Sequence, residues 1–88
     1  MGHRIDVDIS CDVQQVDSTG FVWTFLDEAR DPARVTVGAI VVSGDDVDPV
    51  LARVVSLTDL LSGVKVHLDL LPGDPAEYAL ARAHLLTA

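Results

Sequence analysis

From Ile5 to Gln14 the chain alternates apolar and polar residues one by one. Ile5, Val7, Ile9, Cys11 and Val13 take one phase; Asp6, Asp8, Ser10, Asp12 and Gln14 take the other. Strand side chains point alternately to opposite faces, so this pattern predicts a strand with one apolar and one acidic face. The expected strand covers residues 4–16, with a bend or bulge at Gln14-Gln15, where the phase shifts. The alternation returns late. Val64, Val66, Leu68 and Leu70 alternate with Lys65, His67, Asp69 and Leu71, predicting a strand over residues 64–71.

The middle of the chain is less regular. Asp17-Ser18-Thr19-Gly20 is turn chemistry. Phe21, Trp23 and Phe25 alternate, but Phe21, Phe25 and Ala29, with Val22 and Leu26, also recur at helical spacing. Thr24 followed by Asp27 resembles a capping box. We therefore expect a short helix over residues 25–30, entered from extended 21–23 and ended by Asp31-Pro32. Residues 35–43 are rich in Val and Ile and predict a strand. Gly38 marks a bulge or a close backbone approach near its start, and the Ala39–Val42 run is apolar enough for both faces to be covered. Ser43 to Pro49 forms a polar turn. The next strand spans residues 50–57, with Leu51, Arg53, Val55 and Leu57 on one face and Ala52, Val54, Ser56 and Thr58 on the other. A loop over 58–63 returns the chain antiparallel into 64–71. After Leu71-Pro72-Gly73, Asp74 is a good N-cap, Pro75 suits the first helical position and Glu77 the third. The resulting helix runs to about residue 86. It carries a stripe of Tyr78, Ala81 and Leu85 beside Ala79, Leu80, Ala83 and Leu86, and an apolar surface that wide wants cover on more than one side.

This order predicts a mostly β α+β domain. Its sheet is small, antiparallel and strongly bent, or a partly open barrel of about five strands, with a short helix and a C-terminal helix. At 88 residues the chain is one domain, 1–88.

Composition adds a surface. Fourteen acids against six bases set the net charge at −8. That repels phosphate backbones and anionic membranes, so neither nucleic acid nor membrane is expected as a direct partner. It also favours solubility or steers the chain to a basic protein. Apolar residues make up 49% of the chain, and mean hydropathy is +0.34. The hydropathy is high for so small a body: either the exposed faces carry many Val and Ala, or apolar surface is buried against a partner or a second copy. A single cysteine, Cys11, forbids an internal disulfide and fits a reducing compartment. No apolar run approaches the ~18 residues of a membrane span. No secretory pattern is visible, so the expected location is cytoplasmic.

Candidate chemistry is sparse. Cys11 falls in the apolar phase of its strand and reads as core. His3, His67 and His84 lack metal-ligand spacing and read as surface histidines. Asp45, Asp46 and Asp48 crowd one loop without the pattern of a calcium site. Asp27, Glu28 and Asp31 sit beside Arg30 and Arg34 as an ordinary salt-bridged turn, with Asp27 and Arg30 at i,i+3. Phe21, Trp23 and Phe25 concentrate the aromatics, and Trp23 is the one expected to face outward. No phosphate loop, nucleophile elbow or paired Cys-x-x-Cys occurs, and no catalytic residue, metal or cofactor is expected. The candidate interaction residues are Phe21, Trp23, Asp45, Asp46, Asp48, Tyr78 and Arg82.

The stretch Asp17-Ser18-Thr19-Gly20-Phe21-Val22-Trp23-Thr24-Phe25-Leu26-Asp27-Glu28-Ala29-Arg30-Asp31-Pro32, with Gly38-Ala39-Ile40-Val41-Val42, Val66-His67-Leu68, Leu71-Pro72-Gly73 and Tyr78, resembles a group of small uncharacterised actinobacterial proteins. The resemblance implies a bacterial cytoplasmic protein and brings no activity with it.

These features favour a non-enzymatic interaction or structural module that self-associates or docks on another protein through its terminal helix or the Trp23 region. An acidic immunity, antitoxin or inhibitor protein for a basic target is the alternative. A small-ligand barrel ranks last, because alternation predicts an aliphatic interior rather than converging polar groups.

Overall fold

The computed structural model describes residues 6–87, with side chains through Ala83. The expected strand start at Arg4 and Ile5, together with His3, His84, Leu85 and Leu86, lies outside the described residues or side chains. Four strands form one antiparallel sheet: β1 (Val22–Phe25), β2 (Ile40–Gly44), β3 (Pro49–Leu60) and β4 (Gly63–Leu71). Their spatial order is β1-β4-β3-β2. The sheet curls into a half-barrel, and one helix, α1 (Pro75–Thr87), follows it. No described helix is long and apolar enough to cross a membrane.

The long β3–β4 hairpin is the centre of the sheet. Strand propensity carries it further than expected: the loop anticipated over 58–63 shrinks to Leu61-Ser62, with Leu60 paired to Gly63. Val66 and Leu68 of β4, Val22 of β1, Val41 of β2 and Ala52 and Val54 of β3 form the core with Ile9 and Val35, all nearly inaccessible to water. A register shift between Val54 and Ser56 inserts Val55 as a bulge. Beyond a bulge the side-chain phase reverses. Ser56 therefore pairs with His67 and Leu57 with Val66. Leu57 joins the face of Val54, and Ser56 joins that of Arg53, against the single unbroken alternation expected for residues 50–57.

Two elements differ from expectation. The short helix over 25–30 is replaced by the end of β1 and a 3-10 turn, Leu26–Glu28. Phe25 stands at its N-cap with extended backbone and no side-chain cap. Thr24 does not cap. It lies inside β1, and its hydroxyl donates to the Ser10 carbonyl at 3.0 Å. The strand over 35–43 begins only at Ile40, because a second 3-10 turn, Pro32–Arg34, and the turn at Gly38 occupy the preceding residues.

Among the described residues there is no fifth strand, yet its place is filled. Residues 8–16 make only isolated bridges, Ile9 with Ala29 and Val16 with Val22. Asp12 explains the break: its carboxylate accepts from Gln14 N and its carbonyl from Gln15 N, closing a turn. On either side of that turn the segment joins the two edges of the sheet. Towards β2, Asp8 N donates to Val42 O at 2.7 Å and Cys11 N to Gly44 O at 2.9 Å. Towards β1 and its following turn, Arg30 N donates to Asp8 O at 2.8 Å, Ser10 N to Glu28 O at 3.3 Å and Trp23 N to Gln15 O at 3.1 Å. The outer edges of β1 and β2 are thereby hydrogen-bonded at Trp23 and at Val42 and Gly44.

α1 begins as expected. The Asp74 carboxylate accepts from Ala76 N at 2.9 Å and its carbonyl from Tyr78 N at 3.0 Å. The helix is held by polar anchors: Tyr78 Oη donates to Ile40 O at 3.0 Å, and Arg82 pairs with Asp8. Leu80 is left 74% exposed, without the cover its composition calls for.

Candidate functional site

A groove of about 410 Å³ opens beside β1, where the N-terminal segment crosses towards the end of β2. Trp23 and Phe25 line it from β1, two residues apart and so on the same face of the strand. Their rings meet edge-to-face, centroids 5.5 Å apart and planes at 84°. Ser10, Cys11, Asp12 and Gln15 line it from the N-terminal segment, Glu28 from the turn after β1, and Gly44 and Asp45 from the end of β2. Three carboxylates from three separate segments thus share one groove, and among the described residues no Lys or Arg lines it.

The groove is held in shape by the hydrogen bonds that close the sheet. Gln15 Nε2 donates to Trp23 O at 3.2 Å. The buried Ser43 hydroxyl donates to Ile9 O at 2.6 Å and lies 3.1 Å from Cys11 Sγ. Cys11 is half-buried and packs on the core, as its phase suggests, while also lining the groove. Asp45 Oδ1 accepts from Val47 N and Asp48 N, which fixes the turn carrying Asp45, Asp46 and Asp48 beside the groove. Gly44 enters that turn at φ +82°, and Asp48 O stands only 2.7 Å from where a Cβ would be.

Around Trp23 the outer face of the sheet is polar. Lys65 Nζ lies 4.5 Å from the centre of the Trp23 ring. It also donates to Asp17 Oδ2 at 3.0 Å. His67 is largely buried rather than a surface residue, contrary to the sequence reading. Its Nε2 is 2.7 Å from the same Asp17 oxygen, and its Nδ1 is 3.1 Å from Ser56 Oγ. Hydrogen bonds from Thr19, His67 and Lys65 hold the Asp17 carboxyl well below the usual carboxylate range. An ionised Asp17 can only accept, so Nε2 carries the proton. In the neutral ring, Nδ1 then accepts from Ser56. The contact order is Ser-His-Asp, but neither the groove nor the cleft described next is lined by Ser56 or His67. The cluster ties the 17–20 turn to the sheet.

The second cavity, about 590 Å³, lies under α1 and is lined by Asp6, Asp8, Arg30, Asp31, Arg34, Ala79 and Arg82. Its charges pair off. Arg82 grips Asp8 in two bonds, Arg30 meets Asp6 at 2.7 Å, and Arg34 meets Asp31 at 3.7 Å. The i,i+3 pair expected between Asp27 and Arg30 gives way to the Asp6 contact.

The candidate residues are thus divided. Trp23 and Asp45 come together in the groove, with Asp46 and Asp48 on the adjoining turn. Phe21 is half-buried in the turn before β1, where its carbonyl accepts from Asp17 N. Tyr78 and Arg82 form a separate helix anchor, with the Arg82 guanidinium 5.5 Å from the Tyr78 ring centre. Sequence reasoning missed Phe25, Asp12 and Glu28 as groove residues. Their clustering depends on where the 8–16 segment crosses, which leaves no local signal. Among the described residues, no group of three His, Cys, Asp or Glu side chains is placed to hold a metal ion.

Comparison with known proteins finds no matching family model, no matching curated protein and no matching solved structure.

Proposed function

We propose that the chain is a non-enzymatic, acidic protein-docking module acting in a bacterial cytoplasm. Its docking surface is the Trp23 groove and the neighbouring Asp45–Asp48 turn. One observation carries this reading: two aromatic rings and three carboxylates from distant parts of the chain share a preformed groove, with no basic residue among its described lining. Aromatic side chains are enriched at binding hot spots, and complementary charge raises association rates and selects partners. A basic protein is therefore the fitting partner, and inhibition of such a protein is the narrower form of the same reading.

The test compares capture by tagged wild-type chain and by a Glu28→Gln/Asp45→Asn variant from the same bacterial lysate. The reading predicts a stoichiometric basic protein that is retained by wild type, depleted by the variant and released at high salt. Identical captures by the two chains would sink it.

The outer edge of β3 favours a second reading, self-association. β2 pairs with β3 only as far as Arg53, and Gly38 and Ala39 extend the contact to Val54. From Ser56 to Leu60 that edge has no described strand beside it, while Leu57, Leu60 and Leu61 are 37%, 46% and 111% exposed. An open apolar edge can pair with a second copy. Sedimentation of wild type and Leu57→Lys decides the matter. A concentration-dependent dimer lost in the variant supports it, and a wild-type monomer at every concentration removes it.

A further inference from the structure

We infer that the Trp23 groove is a receptor for a single arginine side chain presented by a basic segment of a protein partner. The inference rests on the docking reading and specifies what enters the groove.

The volume, about 410 Å³, lies within the size range of ligand sites and is ample for one long side chain. The walls select charge and shape. An indole face attracts cations through its quadrupole, and this chain already shows it, since its own Lys65 ammonium sits 4.5 Å from the Trp23 ring centre. Phe25, set edge-to-face against Trp23, adds a second aromatic surface. Asp12, Glu28 and Asp45 supply acceptors from three separate segments. They are not gathered as a metal site would require. Acceptors spread around an aromatic wall suit a flat, delocalised cation with several N–H donors better than a point charge. Guanidinium is that group: it stacks on rings and offers a planar fork of donors, whereas ammonium does neither as well.

A protein source is favoured over a free small cation by what surrounds the groove. Asp48 extends the acidic rim beyond it along the turn that Asp45 closes, where residues flanking an inserted arginine would lie. The overall charge of −8 draws an extended basic segment more strongly than a single charge.

Trp23 is the only tryptophan, so its fluorescence reports occupancy directly. The experiment titrates wild type with blocked seven-residue peptides of the form Gly-Lys-Gly-X-Gly-Lys-Gly, in which X is Arg, Lys or norleucine, and with arginine amide alone. Calorimetry repeats each titration on Glu28→Gln and Asp45→Asn, both at exposed positions. The expected result is a saturable response to the Arg peptide, about tenfold weaker with Lys and weaker still with norleucine, a factor that equals about 1.4 kcal/mol. Either variant weakens the Arg peptide several-fold, and raising salt from about 0.05 to 0.5 M weakens it further. Equal binding of the norleucine peptide, no saturable response to the Arg peptide, or indifference to both variants overturns the inference. Arginine amide binding as tightly as the peptide overturns its protein source. If lysate capture still depends on Glu28 and Asp45 while the Arg peptide fails, this inference falls and the docking reading stands. If capture is identical for wild type and variant, the docking reading falls.

Discussion

Arg82 grips the Asp8 carboxylate with both terminal nitrogens, at 2.9 and 3.2 Å, across 74 residues of sequence. Asp8 Oδ2 also accepts from Val42 N at 2.8 Å. One carboxylate thus ties the N-terminal segment, an edge strand and the terminal helix together. Only 8% of Asp8 is exposed, so removing a partner leaves a charge or a donor stranded away from water.

Asp8→Ala is therefore expected to cost about 3 kcal/mol in urea denaturation, near the low end for breaking a buried pair because Arg82 keeps partial solvent access. Arg82→Ala costs less, about 1–2 kcal/mol, since Val42 N still serves the carboxylate. The double variant is less destabilised than the two single losses combined, as contacting residues require. Additive losses would show that the pair does not couple the helix to the sheet.

Asp17 predicts a pH dependence. Its folded pKa lies below the unfolded value of about 3.9, so the unfolded chain takes up the proton first as pH falls. The stabilisation from Thr19, His67 and Lys65 is complete above that value and disappears as pH falls towards the lower folded pKa. Asp17→Asn should melt below wild type at neutral pH, and the two melting temperatures should converge as the pH is taken below about 4. A gap that stays constant from neutral to acid would assign the loss to packing instead.

Ser43 tests the seam that stands in for a fifth strand. Its hydroxyl is fully buried and donates to Ile9 O. Ser43→Ala removes that donor and should cost about 1–2 kcal/mol. Amide exchange at Asp8 and Cys11, which donate to β2, should accelerate more than exchange within the β3–β4 hairpin. Uniform acceleration would mean that the seam opens only with the whole sheet.

Gly44 and Gly20 have nearly the same φ, +82° and +83°, but different surroundings. A Cβ at Gly44 meets the Asp48 carbonyl oxygen at 2.7 Å, whereas one at Gly20 meets nothing within 4 Å. Gly20→Ala carries only the left-handed backbone penalty, about 1–2 kcal/mol. Gly44→Ala adds a backbone clash and should be the more destabilising by at least about 1 kcal/mol. It should also weaken the groove, because the Asp45 turn must move. Equal losses at the two sites would show that the turn yields freely.

Local chemistry was the legible part of this sequence. Strict alternation located β4, β-branched density located most of β2 and β3, and Asp74-Pro75 marked the start of α1, because each of these signals acts between residues a few positions apart. The mostly β class followed from their order. Tertiary structure decided the rest. The alternating run after Ile5 reads as a strand, but the Asp12 turn breaks it: residues 8–11 bond to β2 and to the turn after β1, and Gln15 bonds to β1. Asp8 occupies a polar phase, yet it is buried because Arg82 and Val42 N reach it. The Val55 bulge reverses a phase that the residues of β3 alone cannot reveal. His67 leaves solvent because Asp17, 50 positions away, folds over it. The groove has the same origin: Asp12, Trp23, Glu28 and Asp45 are neighbours only once the curled sheet is closed by the N-terminal segment. Periodicity records which way a side chain points, and only the closed chain determines what it meets.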